Sequence, residues 1–345
     1  MPAISLRTRK RLIALGASLA LCLLAAEIAV RVAVGAPLAE RMPLMKMRAN
    51  PVRGWQMVPG QTHYTYQHRV NVNALGLRGP EIGEKGENER RVLYLGDSLV
   101  YGQGVADDET QPAVLERELR ARDPKVAWTV VNAGHRSYDT AQELALLEEL
   151  GGRIRPDVVL LGWYWNDIDE RDIARTYENL QGKGELYFDT NNTLEGLDLL
   201  AWRGKQLCRR SALVMLVHDL VVSKGRPYTE DYLELVWQRM DRHLGRFGEL
   251  CAQLGARAVV VLVPDAHRIG GGGGETRAFD ERLSALASAR ALPLIELLPP
   301  LEVLHARTHR VPIVPFDGHY DAEGNRVMAE HLAERLLALD LVRSE

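Results

Sequence analysis

Several residue types that mark particular protein classes are scarce in this sequence. Cysteine occurs three times in 345 residues, at positions 22, 208 and 251. Cys22 lies inside an apolar run, so at most one disulfide can form, between Cys208 and Cys251, and that pairing stays open. The sequence has no CxxC pair, which excludes a disulfide framework and zinc sites built on sulfur. Only seven of the 43 basic residues are lysine, a bias towards arginine that is typical of GC-rich bacterial genomes.

A strong charge of either sign is also lacking. The 43 basic and 46 acidic residues give a formal net charge of −3. Because this balance creates no broad positive field, we do not expect nucleic acid as a partner. Apolar residues make up 46% of the chain and charged residues 26%, which is ordinary for a globular protein of one or two domains.

The amino terminus combines a basic cluster with a long apolar run. Four basic residues lie between positions 7 and 11, and the run that follows, 12–36, has no charge before Glu27. A helix of that length measures about 36 Å and can cross a bilayer core of about 30 Å. We therefore expect a cytoplasmic tail over 1–11, a transmembrane anchor over 12–36 and a catalytic domain in the periplasm or outside.

Two other interpretations of this run stay open. A signal peptide could be cleaved after Ala36, although Pro37 directly after the cut disfavours cleavage. The run could also form a buried helix of a soluble protein.

Short apolar runs alternate with helix-length segments beyond residue 90. The runs are 91–95, 128–131, 157–161, 258–263 and 292–297. Apolar residues recur at helical spacing over 108–122, 138–151, 231–254, 276–290 and 321–339. Runs rich in Val and Leu are typical of strands buried on both faces. The alternation predicts an α/β fold, a three-layer sandwich with a five-stranded parallel flavodoxin-like sheet.

The remaining chain divides at composition changes. Residues 37–90 contain many turn signals and are interpreted as a juxtamembrane segment, which precedes a domain over 91–340. Within that domain the interval between the third and fourth runs is too long for one crossover helix, so 171–228 is interpreted as a lid-like insertion. The five-glycine run 270–274 favours a flexible loop.

Chemically useful residues lie at the ends of three predicted strands and just before the last helix. Ser98 comes just after the first strand, Gly134 ends the second, Asn166 follows the third, and Asp317 and His319 precede the final helix. Ligands of parallel sheets bind at the carboxyl ends of the strands, where these residues would meet. A serine needs a neighbouring base to become a nucleophile, and histidine can supply it. Taken singly, each motif could equally be an ordinary turn, helix cap or loop.

Two tryptophans accompany Asn166. Trp163 and Trp165 lie in the stretch that follows the third strand and could stack on a sugar ring or line an apolar substrate pocket. Core packing is the alternative for the pair.

Together these motifs resemble the SGNH (GDSL-type) hydrolase superfamily, over about residues 72–340. The resemblance implies that Ser98 is the nucleophile and that His319 is the base, supported by Asp317. It further implies an oxyanion hole made of the Ser98 N–H, the Gly134 N–H and the Asn166 side chain. Many members have Asp-x-x-His where this chain has Asp-x-His, so a main-chain carbonyl could orient His319 instead.

The resemblance implies a membrane-anchored serine esterase that needs no cofactor and no metal. Its substrate would be an acylated carbohydrate or a lipid ester, cleaved through a Ser98 acyl-enzyme. One alternative is an O-acetyltransferase for an exported polysaccharide, which would require a membrane protein as acyl-donor partner. The other is a catalytically inactive binding or scaffold module.

Overall fold

The computed structural model describes residues 5–222 and 228–340. The described residues fall into two compact units. The larger unit consists of Arg41–Thr193, Pro227–Val314 and the chain from Gly318 onward. The smaller unit consists of the chain up to Glu40, Leu194–Arg226 and Pro315–Asp317.

The helices and strands are numbered here in chain order. The strands are β1 (Lys46–Asn50), β2 (Gly54–Met57), β3 (Thr62–Thr65), β4 (His68–Asn71), β5 (Glu89–Gly96), β6 (Ala127–Gly134), β7 (Val158–Trp163), β8 (Leu186–Tyr187), β9 (Arg257–Leu262) and β10 (Leu294–Glu296). The α-helices are α1 (Leu6–Ala33), α2 (Ser98–Tyr101), α3 (Gln111–Arg122), α4 (Thr140–Ile154), α5 (Ile173–Leu180), α6 (Gly196–Arg209), α7 (Ala212–Val222), α8 (Glu230–Leu254), α9 (Gly274–Ala289), α10 (Leu298–Thr308) and α11 (Ala322–Ala338).

A five-stranded parallel sheet lies at the centre of the larger unit. Its strand order is β10-β9-β7-β5-β6, and every neighbouring pair is parallel. These are the five strands predicted from the apolar runs. The strand order is that of flavodoxin-like sheets, so the predicted fold class is confirmed.

Alternate residues of the interior strand β5 face opposite helical layers. Leu93 and Leu95 pack in one core cluster with residues of α4, α8 and α9. Val92 and Tyr94 pack in a second cluster with residues of α3, α10 and α11. All four side chains are fully buried. Because helices cover both faces, the strand shows no alternation of polar and apolar residues.

Five of these six flanking helices were predicted, with ends that differ from the observed ones by a few residues. Helix α10 was not, because Pro299 and Pro300 directly follow the last strand. The two prolines occupy the first turn of α10, where the missing backbone N–H costs no helical hydrogen bond.

The segment 37–90 is more ordered than its turn signals indicated. Strand β1 pairs antiparallel with β2 and with β8, and β3 forms a hairpin with β4. Each of these strands has at most five residues. Such short strands give too few alternations for a pattern to identify them.

Helix α1 contains 28 residues, none of them buried, and the mean hydropathy of its most apolar 18-residue stretch is 2.3. It is long and apolar enough to cross a membrane. It begins at Leu6, earlier than predicted, because the Ser5 hydroxyl accepts a hydrogen bond from the Thr8 N–H at 3.2 Å and caps the helix.

The predicted insertion 171–228 is divided between the two units. Helix α5 and strand β8 belong to the larger unit, whereas α6 and α7 belong to the smaller one. Residues 223–227 lie outside the described residues. The action of this insertion as a lid stays a prediction.

Candidate active site

Ser98 begins the short helix α2, immediately after strand β5. The chain can turn sharply here because Gly96 has no Cβ; a Cβ at this position would lie 2.3 Å from Cγ2 of Val100. Asp97 caps the helix by accepting the Leu99 N–H at 2.8 Å. Asp97 therefore forms the helix cap that was one possible interpretation of the Gly-Asp-Ser motif. Ser98 is partly exposed, whereas Asp97 and Leu99 on either side are buried.

His319 brings an imidazole to this serine. Its Nε2 lies 2.7 Å from Oγ of Ser98. The backbone of His319 is held by the Val314 N–H, which donates to the His319 carbonyl at 2.8 Å. The next residue, Tyr320, donates its hydroxyl to the Pro264 carbonyl at 2.8 Å. An unprotonated Nε2 at this distance can accept the serine proton.

Asn166 approaches the same turn from the end of strand β7. It lies in the 3₁₀ turn Trp165–Ile168, and its Nδ2 donates to Oδ2 of Asp97 at 3.0 Å. An amide nitrogen carries two protons, so this bond leaves one for another acceptor. The structure thus brings three of the predicted side chains together: His319 lies against Ser98, and Asn166 donates to Asp97, the residue before Ser98.

Asp97 connects these groups and is the residue whose position the sequence did not predict. Only 1% of it is exposed. Burial raises the pKa of its carboxyl, while hydrogen bonds from Leu99 and Asn166 and the nearby His319 act in the opposite direction. The Gly-Asp-Ser motif identifies Asp97 as a helix cap. The contact between Asp97 and Asn166, however, depends on the packing of two strands that are distant in sequence.

Gly134 has a role in packing. A Cβ at this position would lie 2.1 Å from the Tyr101 backbone nitrogen, so only glycine lets strand β6 approach helix α2 this closely. Its N–H already donates to Oδ1 of Asn132 at 3.0 Å. This geometry does not favour the predicted oxyanion contact, since the N–H is engaged elsewhere.

The two tryptophans have different environments. Trp163 is fully buried and packs near Trp237, with ring centroids 6.4 Å apart. A substrate cannot reach it in this structure, so the prediction that Trp163 contacts substrate is corrected in favour of core packing. Trp165 is partly exposed and lies beside Tyr164, with centroids 5.7 Å apart. Its contact with substrate stays a prediction.

Asp317 lies two residues before His319, in a loop where Phe316 and Gly318 adopt positive φ angles of 60° and 87°. The two residues belong to different units of the structure. The support of His319 by Asp317 therefore stays a prediction.

Buried carboxyls accompany the site. Asp167 accepts a hydrogen bond from the Thr140 hydroxyl at 3.1 Å, and Glu143 is fully buried. Neither oxygen of Glu143 has a hydrogen-bond partner among the described residues. Burial, reinforced by the neighbouring carboxyls, raises the pKa of both Glu143 and Asp167 well above the usual range. The protonated form of both acids is therefore favoured over a wider range of pH than in an exposed carboxyl.

Other titratable groups are unsuited to the role of base or metal ligand. Burial, together with nearby arginines, lowers the pKa of both His63 and His135 to about 3, so both rings stay neutral. His305 and His309 are four residues apart, but no third ligand joins them, and in 5–222 and 228–340 no cluster of three or more His, Cys, Asp or Glu side chains could hold a metal.

A cavity of about 870 Å³ lies beside the edge strand β6, away from these groups. None of the predicted site residues lines it. Its charged lining is paired internally, for example Arg78 with Asp107 at 2.8 Å and Arg91 with Glu89 at 2.6 Å. We therefore do not assign it to the candidate active site.

No family profile and no curated protein matches the sequence. Solved esterase structures are similar to it in fold. A psychrotrophic esterase from Pseudoalteromonas sp. matches at 12% identity and a TM-score of 0.43, covering 72% of this chain and 98% of the esterase. An aryl esterase from M. smegmatis matches at 16% identity and 0.42, covering 72% and 99%. A member of the lipolytic G-D-S-L family from Veillonella parvula matches at 14% and 0.40, covering 71% and 97%. Likeness at this level concerns the course of the chain and says nothing about substrate.

Proposed function

We propose that this chain is a serine esterase of the SGNH type, with Ser98 as nucleophile. The observation that carries the proposal is the 2.7 Å contact between Ser98 Oγ and His319 Nε2. In the proposed reaction Nε2 accepts the hydroxyl proton while Oγ bonds to the ester carbonyl carbon. The tetrahedral intermediate then expels the alkoxide, which takes the proton from His319. Water then gives a proton to His319 as its oxygen bonds to the acyl carbon. The bond between that carbon and Oγ breaks, Oγ takes the proton back from His319, and the acid leaves.

The negative charge on the carbonyl oxygen needs donors. Asn166 can use the Nδ2 proton that Asp97 does not accept, and Ser98, as the first residue of α2, has an N–H without an intrahelical partner. Each donor of this kind is worth about 3–4 kcal/mol of transition-state stabilisation. Asp97 acts as a positioning residue, because it fixes Asn166 and caps the helix that presents Ser98.

We further propose that the enzyme is anchored in a membrane by α1 and works outside the cytoplasm. The 28-residue apolar helix and the basic cluster at its start support this orientation. The proposed substrate is an acylated carbohydrate or a lipid ester. Trp165, partly exposed beside Asn166, offers an aromatic face on which a sugar ring can stack.

The proposal is tested by release of p-nitrophenol from p-nitrophenyl acetate, with the full-length protein in detergent micelles. We expect turnover by the wild type and its loss in Ser98→Ala. Ser288→Ala is the matched control because Ser288 is exposed on helix α9, remote in sequence from the site. If neither wild type nor control turns over the ester although both are folded, the esterase proposal is wrong. Turnover that requires an added oligosaccharide acceptor would instead indicate the acetyltransferase.

A further inference from the structure

Helices α6 and α7 form a pair with an unusual surface. They follow each other directly, with Arg210 and Ser211 between them, and α7 packs against both α6 and the apolar helix α1. All three helices belong to the smaller unit. Their arrangement relative to one another is therefore defined.

The start of α7 is held by the two charged residues of α1 that follow its basic cluster. Glu27 accepts hydrogen bonds from the Ser211 hydroxyl at 2.7 Å and from the Ala212 and Leu213 N–H groups at 2.9 Å each. Arg31 pairs with Glu27 at 2.6 Å and donates to the carbonyl of the residue before Ser211. A carboxylate at a helix N-terminus is stabilised by the unpaired N–H groups and by the helix dipole.

This contact fixes the depth of α7. Glu27 lies six residues before the end of α1 at Ala33, which corresponds to about 9 Å at 1.5 Å per residue. If α1 spans a membrane from its basic end, its charged pair lies at the outer boundary of the hydrocarbon core. Helix α7 therefore begins at that boundary and not far out in solution.

Both helices expose large apolar side chains. On α6, Leu197, Leu200 and Leu207 are 83%, 61% and 69% exposed, and their spacing of three and seven residues places them on one face. On α7 the exposed apolar residues are Val214, Val217, Leu220 and Val221. Full burial of a side chain of this size lowers the free energy by about 1.5–3 kcal/mol, and these side chains lack that stabilisation while they are in water.

Positive charge borders this apolar surface. Arg203 on α6 is exposed beside this face, and so is Arg210 at the end of the helix, whereas the exposed Lys205 lies further round α6. Apolar side chains bordered by basic ones are typical of helices that lie in the headgroup region of a bilayer, where the cations meet anionic phospholipids.

We propose that α6 and α7 form a membrane-interface hairpin, which rests in the outer headgroup region of a phospholipid bilayer beside α1. The apolar surface of the hairpin enters the acyl boundary, and Arg203 and Arg210 contact lipid phosphates. The inference rests on the proposed anchoring by α1, but not on the proposed esterase activity. The bilayer is favoured over another protein because the Glu27 contact ties the hairpin to the outer end of the spanning helix.

The test places an environment-sensitive NBD probe at single cysteines of the full-length protein, reconstituted in vesicles of phosphatidylcholine and phosphatidylglycerol. Leu200→Cys reports on the apolar face, and Lys205→Cys, further round the same helix, is the matched control. Both variants are made in a chain whose Cys22 and Cys208 are replaced by serine. Labelled Cys22, with Cys208 replaced, reports on α1 itself. Lipids with a spin label near the carbonyl quench probes in the interface, and lipids labelled deep in the acyl chain quench probes in the core.

We expect the probe at Leu200→Cys to show blue-shifted emission and strong quenching by the shallow label, while the probe at Lys205→Cys stays water-like. Equal and weak quenching at both positions, with strong deep quenching at Cys22, would overturn the hairpin and leave the anchor standing. Absence of quenching at Cys22 would overturn the anchor and the hairpin together. Blue-shifted emission at Leu200→Cys that neither lipid label quenches, together with disulfide-linked dimers of the unlabelled Leu200→Cys variant, would assign the surface to a second copy of the chain and overturn the proposal.

Discussion

Oγ of Ser98 and Nε2 of His319 lie 2.7 Å apart, although 221 residues separate them in the chain. The serine is fixed by the turn from strand β5 into helix α2. The histidine is fixed by a loop that is closed by the hydrogen bond from the Val314 N–H to the His319 carbonyl. Two independently built turns therefore meet at the pair on which the proposed chemistry depends.

Asn166 is expected to act on the transition state more than on substrate binding. In Asn166→Ala we predict a fall in kcat of about 10²–10³, because one donor to the oxyanion is lost. KM should change little. Steady-state kinetics with p-nitrophenyl acetate measure both constants. An unchanged kcat with a raised KM would instead make Asn166 a substrate-binding residue.

The predicted support of His319 by Asp317 can be tested with the amide variant. If the Asp317 carboxylate holds the imidazole, Asp317→Asn should lower kcat by as much as about 10⁴. A loss below tenfold, with normal reaction of Ser98, would show that a main-chain carbonyl performs this function. The comparison uses kcat of the variant and the wild type across pH, since a misoriented base changes the shape of the profile as well as its height.

Gly134 and Gly152 make a matched pair for the packing role. Gly134→Ala would place a Cβ 2.1 Å from the Tyr101 nitrogen, and we predict a loss of about 3 kcal/mol in the free energy of unfolding. At Gly152, in helix α4, a Cβ meets nothing within 4 Å, so Gly152→Ala should stabilise by about 0.5–1 kcal/mol. Chemical denaturation of both variants measures these changes. Similar stability of the two would contradict the close approach of β6 and α2.

Glu143 should destabilise the protein as pH rises. The pKa of its carboxyl is raised in the folded state. Above the ordinary pKa of a glutamate the folded state therefore binds more protons than the unfolded state. The free energy of unfolding then falls as pH rises towards the folded pKa. Glu143→Gln removes this effect. We predict that its unfolding free energy, relative to wild type, increases by about 1 kcal/mol or more between pH 5 and pH 9.

The control for that experiment is Glu148→Gln. Glu148 lies on the same helix, is exposed and pairs with Arg246 at 2.9 Å. The free energy of unfolding of Glu148→Gln should differ little from that of the wild type across the same pH range, because exposed ion pairs contribute little to stability. A flat difference curve for Glu143→Gln as well would mean that Glu143 is not held protonated.

The sequence predicted the central sheet because its strands are short apolar runs, most of them buried on both faces, a signal that does not depend on distant residues. It also singled out Ser98, Asn166 and His319 as candidates, since each follows a strand end or precedes a helix, and their roles in catalysis stay predictions. It missed the short strands of 46–71, which are too brief for periodicity.

Contacts between distant residues could not be predicted. The bond from the Gly134 N–H to Asn132, the link between Asp97 and Asn166 and the full burial of Trp163 all depend on how neighbouring elements pack. A tryptophan after a strand has the same sequence signature whether it faces substrate or the core.

The central claim, that His319 activates Ser98 as a nucleophile, is tested most directly by covalent labelling with a fluorophosphonate, read by intact mass and peptide mapping of the full-length protein. The account predicts one adduct, on Ser98, that is absent in Ser98→Ala and forms at least about 10²-fold more slowly in His319→Ala. An adduct on another residue, or labelling of Ser98 at the same rate without His319, would contradict it.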